Sequence, residues 1–245
     1  MDSKVEFLFL NEEDMIKAGV LDADRAVDTI GEVITLLSEG DYLMGGRAHN
    51  DHGVQLIFPE KSDIPNFPLA DSADRRFMAM PAYLGGRFHM CGEKWYGSNG
   101  RNSHKGLPRS ILMATLNDVE TGQPLAYMSA NLLSAMRTGA MPGLTAMYLA
   151  RKDSKVLTIL GAGVIGRTSL MAIMAKFPNL EVLKIKGSSK TSHTAHELAD
   201  YARENYKSLK EIIICDTLEV AVRDADIIAE AVSVEPRKWP VIRSE

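Results

Sequence analysis

Apolar residues in the first half of the chain occur in short stretches separated by polar turns, a pattern typical of short strands. Residues 110–116 and 124–128 flank a turn that ends at Gly122, which predicts a β-hairpin. Residues 22–39 instead repeat apolar positions at helical spacing and predict an amphipathic helix. Further strands are predicted over 5–10, 54–58, 76–83 and 90–96, and a helix is predicted to begin after the N-cap Asn11.

In the second half, apolar strands alternate with helices. This order predicts a Rossmann-type, doubly wound parallel sheet in an α/β protein. The composition changes near residue 130, so we predict an α+β domain over 1–130 and a Rossmann domain over 131–245. The second domain begins with a helix over 131–150, and its strands are predicted over 155–160, 181–186, 211–215 and 226–230.

The predicted parallel sheet has fewer strands than a complete dinucleotide-binding fold, which has about six. Only four are predicted before Glu245. We therefore expect the sequence to be a C-terminally incomplete copy of a longer protein. The alternative is a small sheet that a partner domain or another subunit completes.

A glycine-rich turn joins the first parallel strand to its helix and matches the GxGxxG fingerprint of dinucleotide-binding proteins. The first glycine allows a tight turn, the second lets a diphosphate approach the backbone, and the third lets the helix pack on the strand. Free N–H groups at the start of the helix would bind that diphosphate. The predicted cofactor-binding residues are Gly161, Ala162, Gly163, Val164, Ile165 and Gly166.

The end of the second parallel strand favours NADP(H) over NAD(H). A carboxylate there would bind the ribose hydroxyls of NAD, but Glu181 lies at the start of the strand. Cations and hydroxyls suit a 2′-phosphate instead. The alternative is a solvated turn. The predicted residues are Lys186, Ser188, Ser189 and Lys190.

Three cations lie in settings that are unusual for solvated side chains. Arg47 follows two glycines, and Lys94 lies at the end of an apolar strand. Arg137 has apolar neighbours at helical spacing, and a cation on an apolar face needs an anion. A lone cation is more often solvated or ion-paired. A substrate carboxylate is the anion that Arg137 is predicted to bind.

Composition excludes several classes of protein. The net charge is −4 and no block of like charge predicts nucleic-acid binding. No apolar run approaches the roughly 18 residues of a membrane helix, so a cytoplasmic protein is expected. Two cysteines predict neither a disulfide framework nor a metal site, and the histidine pairs at 49/52 and 193/196 have too few further ligands.

Five motifs stand in order along the chain. They are Gly92-Glu-Lys-Trp, Gly106-Leu-Pro-Arg, Leu116-Asn-Asp-Val-Glu-Thr-Gly-Gln-Pro124, Ser134-Ala-Met-Arg-Thr-Gly-Ala140 and Gly161-Ala-Gly163. Together they resemble the ornithine cyclodeaminase/mu-crystallin family. The resemblance implies an NAD(P)-dependent enzyme with a small amino-acid or imine substrate. It also implies a homodimer formed through the substrate-binding domain.

The same resemblance assigns roles to individual residues. Arg47, Lys94 and Arg137 match the three cations that bind the substrate carboxylate, and Lys94 is also placed to assist proton transfer. Weaker matches carry a cofactor-binding role to Arg109, Ser110 and Ser233.

Two departures from the family pattern bear on activity. The family's catalytic aspartate would lie beyond Glu245, and Val164-Ile-Gly166 stands where cyclodeaminases tend to have alanine and glutamine. The reaction implied first is cyclodeamination through an imine, with L-ornithine giving L-proline and ammonia. The alternatives are an NADP(H)-dependent ketimine or imine reductase or opine-type dehydrogenase, and a non-catalytic cofactor-binding protein.

Overall fold

A computed structural model describes residues 4–72 and 74–232 of the chain. These residues form two compact units. The first comprises residues 1–20 and 32–134, and the second comprises residues 21–31 and 135–245, over the parts that are described.

The first unit is built on a seven-stranded sheet. Its strands are β1 (Leu8–Leu10), β2 (Tyr42–Met44), β3 (Val54–Ile57), β4 (Arg76–Leu84), β5 (Met90–Ser98), β6 (Ser110–Asp118) and β7 (Pro124–Ser129). The order in the sheet is β1-β7-β6-β5-β4-β2, and β3 also pairs with β4. Pairing is antiparallel except between β1 and β7. The predicted hairpin is confirmed as β6 and β7.

The helices of this region begin where the sequence predicts. Asn11 caps α1 (Glu12–Lys17), because its side chain accepts from the amide of Asp14 and its amide donates to the Asp14 carboxylate. The amphipathic helix α2 spans Ala23–Glu39. A 3₁₀ helix, Gly100–Lys105, joins β5 to β6 and is not predicted from the sequence.

The second unit contains the predicted parallel sheet. The elements from residue 131 onwards are α3 (Asn131–Leu149), β8 (Val156–Leu160), α4 (Val164–Lys176), β9 (Val182–Lys186), α5 (His193–Asn205), β10 (Glu211–Ile214), α6 (Leu218–Val222) and β11 (Ile227–Glu230). The strand order is β10-β9-β8-β11, and all pairs are parallel. The core of the sheet includes the fully buried residues Leu157, Ile159, Leu183 and Ile185.

Two polar contacts hold distant segments of the second unit together. Lys176 at the end of α4 pairs with Asp24 at 2.7 Å and with Asp28 at 2.6 Å, which ties the start of α2 to this unit. Asp226 accepts from the backbone amides of Lys155 at 2.7 Å and Val156 at 2.9 Å. The start of β8 and the start of β11 are thereby joined.

Candidate functional site

The glycine-rich turn has the backbone geometry that a dinucleotide needs. Gly161 has φ +92°, and a Cβ there would lie 2.6 Å from the carbonyl oxygen of Ala231. A Cβ on Gly166 would collide with the carbonyl of Gly161, so helix α4 lies directly against the turn. A Cβ on Gly163 would meet open space. The turn is therefore tight where it packs and open where a diphosphate would approach.

The start of α4 leaves backbone donors available. Gly163 is its N-cap and supplies no side-chain hydrogen bond to the first turn. The N-terminal N–H groups and the helix dipole together favour an anion at this point. A groove of about 230 Å³ adjoins the turn and is lined by Ala162, Gly163, Val164, Arg167, Thr194, Glu197 and Leu198.

The carboxyl ends of the parallel strands meet beside this turn. The amide of Gly161 donates to the carbonyl of Lys186 at 2.9 Å. The amide of Cys215 donates to the carbonyl of Ile185 at 2.8 Å. The segments that follow β8, β9 and β10 therefore leave the sheet at one edge. In open α/β sheets, ligands bind at this edge.

The segment predicted to bind a 2′-phosphate lies at this edge, and its cations already have partners. Lys190 pairs with Asp216 at 2.8 Å, and the Asp216 carboxylate raises the pKa of Lys190. Lys186 donates to the carbonyl of Gly187 at 2.6 Å. The hydroxyls of Ser189 and Thr191 lie 3.3 Å apart, and Ser188 is exposed. Lys190, the exposed cation of this segment, is therefore already paired with a carboxylate.

Glu181 lies away from that edge and has a structural role. Its carboxylate pairs with Lys155 at 2.9 Å and Lys210 at 2.5 Å. Hydrogen bonds from Lys210 and Lys155 lower the pKa of Glu181 to about 2. The contacts agree with the prediction that this carboxylate is at the wrong end of β9 for a ribose.

In the first unit, Lys94 faces an aromatic ring. Lys94 and Tyr96 lie two residues apart on β5 and so share one face of the sheet. The Lys94 ammonium lies 5.2 Å from the centroid of the Tyr96 ring, a cation–π contact. Arg76 donates to the Tyr96 hydroxyl at 3.3 Å, and that hydroxyl donates to the sulfur of Met78 at 3.1 Å. The hydroxyl of the ring that contacts Lys94 therefore has two partners, Arg76 and Met78.

Arg47 lies in a closed turn after β2. The amide of Met44 donates to the carbonyl of His49, and that of Asp51 to Gly45, both across the turn. Met44 pairs with Ala82 of β4, while Met80 of β4 pairs with Lys94. The turn that carries Arg47 and the strand that carries Lys94 thus flank the same stretch of β4. The Arg47 side chain is exposed and forms no ion pair with another residue of the described ranges.

Arg109 and Ser110 belong to a polar cluster around Asp74. The Asp74 carboxylate accepts from Arg109 Nε at 2.8 Å, and also from Arg76 and Ser98. Ser110 Oγ lies 3.1 Å from Ser98 Oγ. This cluster joins the adjacent ends of β4, β5 and β6, so both residues contribute to the structure of the first unit.

Arg137 lies on the apolar face of α3 that the sequence predicts, and that face is exposed at this point. Leu133 and Met141, one turn away on either side, are also exposed. Burial therefore adds nothing to the argument for Arg137, and its carboxylate-binding role stays a prediction. Ser233 lies outside the described residues.

Three groups beside these sites are not among the predicted site residues. Tyr96 could have been found, because it lies two residues after Lys94 on a predicted strand. Asp74 contacts Arg109 over a separation of 35 residues, which the sequence does not reveal. Asp216 could have been found, because it follows the predicted strand 211–215 and so lies at its carboxyl end. Among the described residues, no three His, Cys, Asp or Glu side chains group as a metal site. The described helices include none that would cross a membrane.

Comparisons with known proteins agree with this geometry. The model of the ornithine cyclodeaminase/mu-crystallin family matches residues 22–245. The N-((2S)-2-amino-2-carboxyethyl)-L-glutamate dehydrogenase of Staphylococcus aureus is 37% identical over 178 residues, which are 72% of this chain and 48% of that protein. The chain thus spans about half the length of this relative.

Two solved structures have a similar fold. The Δ1-pyrroline-2-carboxylate reductase of Thermococcus litoralis, in complex with NADH and L-proline, superposes with a TM-score of 0.75 at 24% identity, covering 91% of this chain and 61% of that one. An archaeal alanine dehydrogenase dimer with bound NAD gives a TM-score of 0.68 at 27% identity, covering 85% and 56%.

Proposed function

The chain belongs to the ornithine cyclodeaminase/mu-crystallin family, and on this premise we propose that it binds a nicotinamide dinucleotide for hydride transfer at an amino-acid carbon–nitrogen bond. The single observation that carries the proposal is the glycine-rich turn. Gly161 and Gly166 let the turn and α4 pack closely where a side chain would collide, Gly163 leaves open space, and α4 begins without a side-chain cap. These features fit the diphosphate of a dinucleotide.

The chain's own residues would bind and orient the two reactants. When bound, the nicotinamide supplies the hydride chemistry. The first turn of α4 holds the diphosphate through backbone N–H groups. Arg47 and Lys94 hold the substrate carboxylate, and Arg137 completes the set that the family resemblance implies. Lys94 also exchanges a proton with the substrate nitrogen, while the Tyr96 ring restrains its ammonium.

We propose net oxidation or reduction in preference to redox-neutral cyclodeamination. The support is the 37% identical dehydrogenase and the 27% identical alanine dehydrogenase structure. The Val164-Ile-Gly166 ending of the fingerprint also departs from the cyclodeaminase pattern. Conversion of L-ornithine to L-proline and ammonia is the alternative within the same chemistry. The cofactor proposed is NADP(H) rather than NAD(H), supported by Lys190 and the hydroxyls near it.

Binding is tested first and turnover second. Isothermal titration with NADPH and NADH should show one site per chain, and Gly163→Val, which fills the open space at the turn, should abolish it. Stoichiometric NAD(P)H formation or consumption with L-amino acids or 2-oxo acids plus amines supports an oxidoreductase. Proline and ammonia from L-ornithine without net NAD(P)H change would indicate a cyclodeaminase instead.

Lys94 provides the matched test of the substrate site. Lys94→Gln should remove turnover while leaving dinucleotide binding intact, because Lys94 is assigned to substrate and not to cofactor. Lys105→Gln, an exposed lysine of the 3₁₀ helix, is the control with the same charge change. Dinucleotide binding with no turnover of any substrate would support a non-catalytic binding protein. Absence of dinucleotide binding would reject the proposed function.

The proposed assembly is a homodimer formed through the first unit. The archaeal alanine dehydrogenase that resembles this chain is a dimer. Much of the apolar surface of the first unit's sheet is exposed, including Phe77, Trp95 and Ile111. Sedimentation equilibrium should give twice the chain mass, and Trp95→Glu should shift the protein towards monomer.

A further inference from the structure

The ion pair between Lys190 and Asp216 lies at the edge of the parallel sheet where the proposed cofactor would bind. Lys190 follows β9 by four residues and Asp216 follows β10 by two. The carbonyl of Lys186, the last residue of β9, accepts from Gly161 of the glycine-rich turn. The segments after β9 and β10 therefore leave the sheet beside that turn.

The pair engages the cation that would bind a 2′-phosphate. A cation after the second parallel strand favours such a phosphate, and a carboxylate that pairs with this cation competes with the phosphate for it. Here the Lys190 Nζ and Asp216 Oδ2 atoms lie 2.8 Å apart. Both side chains are more than half exposed, at 66% and 54%. The pair is thus accessible to a ligand, and exposed pairs are weak enough for a ligand to compete.

We propose that Asp216 is a specificity-determining residue that lowers the preference of this site for 2′-phosphorylated dinucleotides by holding Lys190. This inference rests on the proposed dinucleotide binding and adds a residue that neither the fingerprint nor the resemblance identifies. To bind a 2′-phosphate, Lys190 must leave the Asp216 carboxylate or share its protons with it. A 2′-hydroxyl makes no such demand on Lys190.

The other polar groups of the segment do not replace Lys190. The Lys186 ammonium donates to the carbonyl of Gly187. His196 Nε2 lies 3.2 Å from the carbonyl of Lys190, and His193 pairs with Glu197 at 3.3 Å. Lys190 is therefore the cation of this segment that is paired with a carboxylate, and its availability to a phosphate changes most when that carboxylate is removed.

The test measures a ratio of affinities in the full chain. The dissociation constants of NADH and NADPH are determined by isothermal titration for wild type and Asp216→Asn. The ratio of the NADH constant to the NADPH constant should rise about twofold to fivefold in Asp216→Asn, the range expected for a weak exposed pair. Lys190→Gln should lower it, and the double variant should match Lys190→Gln alone.

Asp200→Asn is the matched control. Asp200 pairs with Arg203 at 2.6 Å on α5, so the Asp200→Asn substitution removes the same charge from another exposed pair. Asp200 lies eight residues beyond Ser192, the N-cap of α5, which is about 12 Å along a helix. That distance exceeds the Debye length at physiological salt, so the charge of Asp200 is screened from the segment after β9. Its affinity ratio should equal that of wild type.

Each remaining outcome overturns the proposal in a recognisable way. An unchanged ratio in Asp216→Asn would show that Asp216 does not determine specificity. A ratio that rises equally in the double variant would show that Asp216 does not act through Lys190. If wild type binds neither dinucleotide, the proposed function fails and this inference fails with it, whereas the first two outcomes leave dinucleotide binding intact.

Discussion

The two sheets of this protein differ in how far their apolar side chains are buried. In the parallel sheet, Leu157, Ile159 and Leu183 are fully buried. On β3 of the first unit's sheet, all four residues are exposed, and Ile57 retains 69% of its accessible surface. Both sheets are rich in apolar residues, so composition alone does not separate them.

The difference follows from what covers each sheet. Helices α4 and α5 pack on one face of the parallel sheet, while α6 packs against Leu160 and Cys215 on the other. Crossover helices cover parallel strands on both faces, whereas an antiparallel sheet can leave one face open. The parallel sheet is therefore buried, whereas the sheet of the first unit leaves apolar side chains such as Leu56 exposed.

The largest expected effect comes from the buried sheet. Leu183→Ala should lower the free energy of unfolding by about 2–5 kcal/mol, because it leaves a cavity in a close-packed core. Leu56→Ala on β3 is the matched control and should change it by less than about 0.5 kcal/mol. Urea unfolding followed by circular dichroism measures both. Equal losses would show that the two sheets do not differ in this way.

The next effect concerns Asp226. Asp226→Ala should destabilise the protein by about 1–3 kcal/mol, because the amides of Lys155 and Val156 lose their acceptor. Hydrogen exchange at these two amides should accelerate, while amides of β5 should be unaffected. Asp153→Ala, which removes an exposed carboxylate beside Arg151, is the control and should leave the exchange rates unchanged. Uniform acceleration in both units would contradict a local tie.

Gly166→Ala should weaken dinucleotide binding and leave the structure of the first unit unchanged. The added Cβ would collide with the carbonyl of Gly161, so α4 must shift from the turn. Dinucleotide affinity should fall at least about tenfold, equivalent to about 1.4 kcal/mol. Gly100→Ala is the control, because a Cβ there would lie at ordinary contact distance, 3.7 Å, from Ser72. Undiminished affinity in Gly166→Ala would argue against diphosphate binding at this turn.

The smallest effect is a pH dependence at Glu181. Its pKa of about 2 in the folded protein lies below the ordinary value of 4.5, so the unfolded chain binds the proton more readily. The carboxylate therefore stabilises the fold fully above about pH 4.5, and this contribution disappears as pH falls towards 2.

Glu181→Gln should accordingly lower the urea midpoint at pH 7 and should differ progressively less from wild type at pH 4 and pH 3. Added salt at pH 7 should shrink the difference, because the pairs with Lys155 and Lys210 are partly exposed. Glu211→Gln, an exposed carboxylate at the start of β10, is the control. A difference that grows on acidification would contradict the assigned sign.

The sequence predicts the second unit well because its signals are local. The strand, glycine-rich turn and helix over 155–175 each follow from neighbouring residues, and all are confirmed. The sequence also shows that Glu181 lies at the start of its strand, which is the end away from a bound ribose, because this position depends only on the order of residues along the chain. Parallel strands joined by helices also allow few topologies, so the sheet followed from the order of its elements.

The first unit and the charged contacts were harder to predict, because they depend on residues that are distant in sequence. The predicted strand over 5–10 is reduced to Leu8–Leu10, which pairs with β7 more than a hundred residues later. The three-residue strand β2 is too short to show a period of two. Arg137 has apolar neighbours along its helix, but its exposure depends on what packs against that face. The partner of Lys190 lies on a different loop.

Asp226 has a consequence for how the chain is made. Synthesis proceeds from the N-terminus, so β8 and the glycine-rich turn leave the ribosome before the carboxylate that binds the first amides of β8. Until residue 226 has emerged, these two amides lack their acceptor, and the nascent sheet lacks the strand that covers one edge of β8. The second unit can therefore complete its fold only after residue 226 and strand β11 have left the ribosome.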